Sequence, residues 1–567
     1  MSLKIEIAQL LENYSDLLEL NNDNPFRIKA LRKASEIILS LDDDLEYYLN
    51  SGEIANIKGI GKGILSIIEE FKSKGKVEDY ERLKSKYPAT IWELFNIKGL
   101  GAKKIKLLYD QLGVSSVDSL AKACEENQLL KLKGFSAQSQ RHILEEINKL
   151  NEAKKYILLD LATKYKDEIL AYLSTIPDVI KCEVTGELRR INEVISKIEI
   201  VVLAKNIQNV KNVLSEKFLL NDIIDESNYL KLVFNYEFNK ICEIYVINKP
   251  QTYTKILFES TGSKAFLEKL NYSQSKLEYN SEEEIFKTLN HCYVIPEMRE
   301  EQLFDYPVKL QLATDLSIEH FQGLLHFHTN YSDGLNSLEE MRFQAQKMGF
   351  RYIAVCDHSK SAFYANGMDE KKILQQKSLI EKLNQADGPY IYHGIECDIL
   401  SNGKLDYDDQ ILKVFDFVVI SVHSNFGLNE NEMTNRLIKA IENQYSDLLG
   451  HPSGRLLLAR EPYKVSMYKV IDACKENNVA IEINANPQRL DLDWRFILPA
   501  REKGCKFSIN PDAHSISSIS EINYGIMVAR KGGLQVNEVI NCYNIKKFDE
   551  FLNRKVNRKN KGDIQWS

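Results

Sequence analysis

Over residues 1–150, apolar side chains recur at intervals of three and four, as in IAQLLENYSDLLEL and IWELFNIKGLGAKKIKLLYDQL, which predicts a helical segment. The pattern changes near residue 178. Four short β-branched runs, VIKCEVTGEL, KIEIVVLA, YLKLVFNY and KICEIYVI, read as strands. A further helical stretch follows. From Leu324 onward, apolar strands (YIAVCDH, FDFVVISVH, VAIEIN, FSINPDAH) alternate with amphipathic helical segments (SLEEMRFQAQKMG, YKVIDACKENN), the pattern of an α/β region of βα-barrel type. These strands end in His, Glu or Asp, at the rim where barrels carry chemistry. A linker is expected near residues 306–322.

The chain has 567 residues, 44% hydrophobic and 27% charged, so about three to five globular domains fit it and extensive disorder does not. No apolar run reaches the roughly 18–20 residues that cross a bilayer. The start, MSLKIEIAQLLENYSD, is acidic and amphipathic, unlike a secretion leader. Nine scattered cysteines without close pairs suggest reduced thiols in a cytoplasmic protein. A net charge of −7 does not favour nucleic acid, but residues 51–150 hold 17 Lys and Arg against 13 Asp and Glu. Arg554, Lys555, Arg558, Lys559 and Lys561 cluster near the end.

One short pattern repeats. Ile57-Lys58-Gly59-Ile60-Gly61-Lys62 and Ile97-Lys98-Gly99-Leu100-Gly101-Ala102-Lys103-Lys104 each precede a helix, and Leu132-Lys133-Gly134-Phe135-Ser136 is a weaker copy. This resembles the helix–hairpin–helix motif. Glycines permit a tight turn and close approach. Free N–H groups at the next helix start can hold a phosphate, and lysines add attraction independent of base sequence. Gly59, Gly61, Lys62, Gly99, Gly101, Lys103 and Lys104 are therefore the candidate DNA contacts.

Further motifs occur in order: Asn24-Pro25-Phe26-Arg27 with Ala30-Leu31-Arg32-Lys33-Ala34, Gly186-Glu187-Leu188-Arg189-Arg190, Thr261-Gly262-Ser263-Lys264, and Ile295-Pro296-Glu297-Met298-Arg299-Glu300. Together they resemble the bacterial family X DNA polymerases. The resemblance implies a multidomain α and α/β protein: a lyase-like helical domain (1–80), a second hairpin domain (81–150), a nucleotidyltransferase-like palm (151–255), a thumb-like domain (256–318) and a distorted βα-barrel PHP phosphoesterase domain (322–560). A palm of this family needs an Asp-x-Asp pair and a third Asp to clamp two metal ions. Those positions align here with Lys197, Glu199 and Glu243. An ammonium donates no lone pair and repels a cation, so Mg²⁺ binding and nucleotidyl transfer are expected to be lost. Glu187 replaces the serine that would meet triphosphate, and Glu193 is the carboxylate that could substitute. At the Schiff-base position of the lyase stands Ile67, with Lys62 and Lys72 nearby.

The last part is richest in candidate chemistry. His326 and His328 form a His-x-His pair, followed by Asp333, His358, Glu396, His423, His451, Asp512 and His514. Six of the chain's ten histidines lie in this series. Nine N and O donors without cysteine suit three divalent cations, Mn²⁺ or Zn²⁺, in a catalytic site. The order resembles that of PHP phosphoesterases, as do Gly367, Arg455 and Asn486-Pro487-Gln488-Arg489-Leu490-Asp491. By that resemblance His326, His328, Glu396 and Asp512 hold one metal. Glu396 bridges to a second held by His423 and His451, and Asp333, His358 and His514 hold a third. Glu396, His326, Asp512 and Arg455 are expected to serve catalysis, with Arg455 and Arg460 as phosphate-binding candidates. His393 is expected to pack or to support a ligand. The expected function is 3′–5′ exonuclease or 3′-end phosphoesterase activity on gapped or nicked DNA in repair, by a monomer with sequence-independent DNA contacts. The alternatives are an active gap-filling polymerase, a DNA-binding adaptor and a small-molecule phosphatase.

Overall fold

A computed structural model describes residues 3–554 except 40–44, 46–47, 50–53, 55–56, 58, 238–239, 273–277 and 308–313. Lys58, part of the linker and the basic residues from Lys555 onward lie outside the described residues. Among the described residues no helix is long and apolar enough to cross a membrane, and all nine cysteines are free. The chain divides into two compact units, Met1–Lys154 with Tyr364–Asn366, and Lys155–Phe363 with Gly367–Ser567.

The first unit is helical and has two cores. Helices α1 (Leu3–Leu20), α2 (Pro25–Leu39) and α3 (Lys62–Lys74) bury Leu11, Tyr14, Leu31, Ile64 and Ile68 together. Asn24 starts α2 by accepting the Phe26 amide at 2.9 Å, ahead of a proline whose missing N–H costs nothing in the first turn. The second core gathers Ile91 and Leu94 with α4 (Ala102–Leu112) and α5 (Ala137–Lys154). In α4 the three-residue spacing of Ala102, Ile105 and Leu108 turns one face inward.

In the second unit, α6 (Leu159–Ser174) covers a five-stranded sheet of β1 (Val179–Thr185), β2 (Lys197–Ala204), β3 (Leu220–Asp225), β4 (Leu230–Tyr236) and β5 (Lys240–Ile247), in the order β1-β2-β5-β4-β3. The bounds of β2 and β5 coincide with the runs read from the sequence. The end of VIKCEVTGEL turns instead into one helical turn, Gly186–Arg189. Strand β3, LNDIID, was not expected; it is half polar because it forms the sheet edge. Strands β2 and β5 run parallel, with Glu199 opposite Glu243.

Seven parallel strands follow in sequential order: β6 (Gly323–Leu325), β7 (Tyr352–Val355), β8 (Tyr390–Asp398), β9 (Phe417–Ser421), β10 (Leu448–Leu449), β11 (Ala480–Asn484) and β12 (Phe507–Asn510). A parallel bridge between Phe327 and Ala513 links the extensions of β6 and β12, so the sheet nearly closes into a barrel. Alternation sorts the side chains. Ile353, Val355, Val418, Ile420 and Ile481 join the core that includes the surrounding helices. Tyr352, Ala354, Phe417, Val419 and Ala480 fill the interior with Phe548 and Leu552 of the last helix. Since all strands point the same way, their carboxyl ends meet at one rim.

Two buried cations fasten the segments of this unit. Arg299 has no exposed side chain; its Nε donates to the Val294 carbonyl at 3.0 Å, and it meets Glu282 at 2.5 Å. Its guanidinium lies 5.3 Å from the centroids of both Phe258 and Phe286. Glu282 also takes two 2.9 Å hydrogen bonds from Arg189. Lys531, on helix α7 (Ile522–Lys531), lies within hydrogen-bonding reach of Arg190 O (2.7 Å), Asn192 Oδ1 (3.2 Å), Glu297 O (3.4 Å) and Glu300 Oε1 (2.9 Å). The expected palm, thumb and barrel segments thus fall in one compact unit.

Burial would raise the Glu282 carboxyl, but hydrogen bonds and charge from Arg189 and Arg299 bring it down to about 2. Its folded value lies below the ordinary 4.5, so its contribution to stability is complete above that pH and fades as pH falls towards 2. Arg299→Met should destabilise this unit by about 3–5 kcal/mol, because Glu282 stays buried with half its counter-charge. Glu282→Gln should flatten acid unfolding between about pH 4.5 and 2. Urea midpoints and acid titrations of both variants test this; an unchanged midpoint for Arg299→Met removes the pair from the stability account.

Candidate metal centre

The nine expected ligands converge at the rim of the barrel. His326 and His328 follow β6, His358 follows β7, Glu396 lies in β8, His423 and His451 follow β9 and β10, and Asp512 and His514 follow β12. His326 Nε2 lies 3.5 Å from Glu396 Oε1 and from Asp512 Oδ1, and His328 Nε2 lies 2.9 Å from Asp512 Oδ1. Glu396 Oε1 lies 3.3 Å from His423 Nε2 and 2.9 Å from His451 Nε2. Asp333 Oδ1 lies 3.4 Å from His514 Nε2 and 3.7 Å from His358 Nε2. His358 Nδ1 also approaches Glu396 Oε2 at 3.0 Å, tying the groups into one cluster. His326, His451 and Asp512 take positive φ values of 62°, 25° and 53°, a strained region for residues with a side chain.

Residues that sequence reasoning missed orient this cluster. Glu482 meets His326 Nδ1 at 2.7 Å and accepts the His451 amide at 2.7 Å. Asp398 meets His423 Nδ1 at 2.6 Å. In His326 and His423 the bond occupies the Nδ1 side and turns Nε2 towards the cluster. Asp357 accepts from Thr329 N, Thr329 Oγ1, Ser332 Oγ and Gln376 Nε2, which fixes the turn before Asp333. A signal was available: Glu396 and Asp398, like Glu482 and Asn484, are polar at alternate positions of otherwise apolar strands, so both members of each pair face the interior.

The donor set fits divalent cations. Among the described residues, His326 Nε2, His328 Nδ1 and Glu396 Oε2 are buried without a hydrogen-bond partner. Three groups bring their donor atoms within 4.8 Å of one another: His328, Asp333, His358 and His514; His326, His328 and Asp512; His358, Glu396 and His423. Burial would lower the His423 imidazole, yet Glu396 and Asp398 push it up to about 10. His514 rises to about 9 against the same burial, through Asp333 and Asp512. His328 falls to about 3, through burial and the imidazoles of His514 and His358. The carboxylates thus demand positive charge here, which bound cations supply as well as protons do.

The arginines are placed otherwise than expected. Arg455 is spent on structure: Nε donates to Arg489 O at 2.9 Å, Nη1 to Asp493 at 2.7 Å and Nη2 to Leu490 O. It holds the loop beside the site, with each of its three nitrogens engaged by a loop acceptor. Arg460 donates twice to Gly454 O and lies over the Phe426 ring. His393 is buried against Phe415, at 4.7 Å between ring centroids.

In the five-stranded sheet the three positions aligned with the expected palm carboxylates meet. Lys197 Nζ lies 2.9 Å from both Glu199 Oε1 and Glu243 Oε2, and Lys231 Nζ lies 2.8 Å from Glu243 Oε2. Tyr245 OH is 3.2 Å from Glu199 and 3.1 Å from Glu243. Lys197 is therefore not a solvated strand residue; its ammonium occupies the space between the two carboxylates. Burial opposes charge on Lys197, but Glu199 and Glu243 raise its pKa above the ordinary lysine value. Burial also raises Glu199, whereas the lysines bring Glu243 below its usual range. Gly186, at φ 65°, passes so close that a Cβ there would meet Glu199 Oε2 at 2.0 Å. Glu187 does not face a triphosphate site; it accepts from Ser196 N at 2.7 Å and Ser196 Oγ at 2.8 Å. Nor does Glu193 join the palm cluster, since it is committed to Trp494 Nε1 (3.2 Å) and Arg495 Nη1 (2.9 Å).

The hairpin glycines differ in kind. Gly59 and Gly99 have φ values of 111° and 89°, as does the weaker copy's Gly134 at 96°, so these turns require glycine. Gly61 and Gly101, at φ −81° and −96°, immediately precede α3 and α4, and an added Cβ would meet nothing within 4 Å. No internal neighbour explains their lack of a side chain. Lys62 and Lys103 are exposed, whereas Lys104 turns back to the Gly99 carbonyl at 2.8 Å. Ile67 lines a cavity of about 630 Å³ with Arg27, Gly59, Gly61 and Gly63, and among the described residues no lysine lines it.

Known proteins match in the same order. A family described as helix-hairpin-helix domain matches residues 3–77, a SAM-like helix-hairpin-helix tandem matches 93–149, and the PHP domain matches 325–486. The chain is 31% identical over 573 residues to the DNA polymerase/3'-5' exonuclease PolX of Bacillus subtilis (strain 168), covering 97% of this chain and 99% of that protein. A "Probable phosphatase" of Thermoanaerobacter sp. (strain X514) is 27% identical over 244 residues, 41% of this chain and 94% of that protein. Another, from Caldicellulosiruptor bescii, is 32% identical over 163 residues, 28% of this chain and 63% of that protein. With hairpin domains, palm sheet and PHP barrel in one order, and that likeness to PolX over nearly its whole length, this chain belongs to the bacterial family X DNA polymerases that carry a carboxy-terminal PHP domain.

Proposed function

We propose that the protein is a metal-dependent 3′–5′ exonuclease or 3′-end phosphoesterase that acts on DNA in repair, and that its palm no longer transfers nucleotides. The observation that carries this reading is the contrast between two carboxylate centres. At the barrel rim nine N and O donors converge with buried lone pairs to spare. In the palm, Lys197 and Lys231 already neutralise Glu199 and Glu243.

His326, His328, Asp333, His358, Glu396, His423, His451, Asp512 and His514 would hold the cations, which we take to be three, Mn²⁺ or Zn²⁺. Bound divalent cations there would acidify a water and offset charge on the phosphate and the leaving 3′ oxygen. Glu482 and Asp398 keep the imidazole tautomers that present Nε2. DNA, gapped or nicked, is the proposed substrate, bound without base specificity at Gly59, Gly61, Lys62, Gly99, Gly101 and Lys103. The hairpin domains (1–80 and 81–150), palm (151–255) and thumb (256–318) would then deliver an end to the barrel (322–560). The name of the Bacillus subtilis relative supports a second reading, in which the palm still fills gaps.

Three outcomes are expected. His326→Ala/His328→Ala should abolish Mn²⁺-dependent 3′ trimming while DNA binding persists; unchanged trimming of end-labelled gapped DNA would falsify the site assignment. Gly61→Leu/Gly101→Leu should fold normally and weaken binding about tenfold, alike for unrelated sequences, as fluorescence anisotropy would show; unchanged affinity makes those turns mere connectors. With the rim ligands removed, primer extension in Mg²⁺ or Mn²⁺ should be absent or orders of magnitude below that of a three-aspartate palm. Robust extension there establishes the gap-filling reading instead.

A further inference from the structure

We infer that Arg489 is the side chain that grips the substrate phosphate at the rim, and that Arg455 serves by holding the Arg489 backbone in place; this rests on the phosphoesterase reading. A guanidinium fork matches the geometry of a phosphate and can bind it beside metal ions. The cations around the centre differ in what they have left to give. Arg455 uses all three nitrogens internally. Arg436 does the same, donating to Leu400, Ser424 and Ile399 carbonyls. Arg489 is different: its Nη1 is buried with no hydrogen-bond partner among the described residues. Its Nε stands 3.9 Å from Oδ2 of Asp512, a proposed ligand, so the guanidinium borders the centre. With 19% of its side chain exposed, it is within reach of a substrate. A buried donor without an acceptor is costly, and a bound anion would complete it.

The loop around Arg489 is built to hold it. Its amide donates to Asn486 O at 2.8 Å. Its carbonyl and that of Leu490 accept the Arg455 fork. Leu490 sits at φ 42°, a conformation that this fork helps to secure. Asp491 accepts the Ser453 amide at 2.9 and 3.2 Å, two residues after His451. The loops that carry Arg489 and His451 are thus bonded to each other, and Arg489 keeps its position relative to the ligands.

The test is binding of inorganic phosphate to the full-length, Mn²⁺-loaded protein, measured by calorimetry. Arg489→Met and Arg489→Gln should load Mn²⁺ like the wild type and bind phosphate about 10- to 100-fold more weakly. Guanidinium added to Arg489→Ala should restore part of the phosphate affinity, which a purely structural arginine would not allow. Equal phosphate affinity in the wild type and both variants overturns the inference, as does a wild type with no saturable phosphate binding. A wild type that binds phosphate through Arg489 but does not trim DNA faults the DNA reading and leaves this one standing.

Discussion

Charge inside a protein must meet opposite charge, and each centre of this molecule is shaped by how that demand is satisfied. Seven parallel strands bring their carboxyl ends to one rim, where Glu396, Glu482 and Asp512 would be intolerable side by side without compensation. Imidazoles surround them, and their tautomers are set by Asp398 and Glu482. The remaining lone pairs face one another across a few ångströms. This is a centre that gains by taking up cations.

The palm meets the same demand differently. Glu199 and Glu243 face each other across parallel strands, an arrangement that needs a positive charge between them. Lys197 and Lys231 supply it from within the chain. A divalent ion would have to displace ammonium groups that are held by hydrogen bonds as well as by charge.

Much of this was legible in the sequence because periodicity and motif spacing are local. β2 and β5 coincide with their β-branched runs, and the ligand series stands out because six of ten histidines fall in it. What could not be read depends on register and long-range contact. Lys231 lies in a strand that was foreseen, but its meeting with Glu243 follows from the pairing of β4 with β5. Arg455 is a phosphate-binding candidate by resemblance, yet its partners come from residues 489–493. β10 is only two residues long, too short to leave a pattern. Glu193 looked available to the palm because its partners, Trp494 and Arg495, lie about 300 residues away.

Lys531 bears on how the protein can be taken apart. Its ammonium is buried, and the oxygens around it all belong to residues 190–300. A fragment cut at residue 322 would lose each of these acceptors and expose the ammonium to water, beside a Trp494 indole whose partner Glu193 had also gone. In this chain that face of the barrel is matched to the segment before it, which serves as a floor for the barrel whatever chemistry it carries.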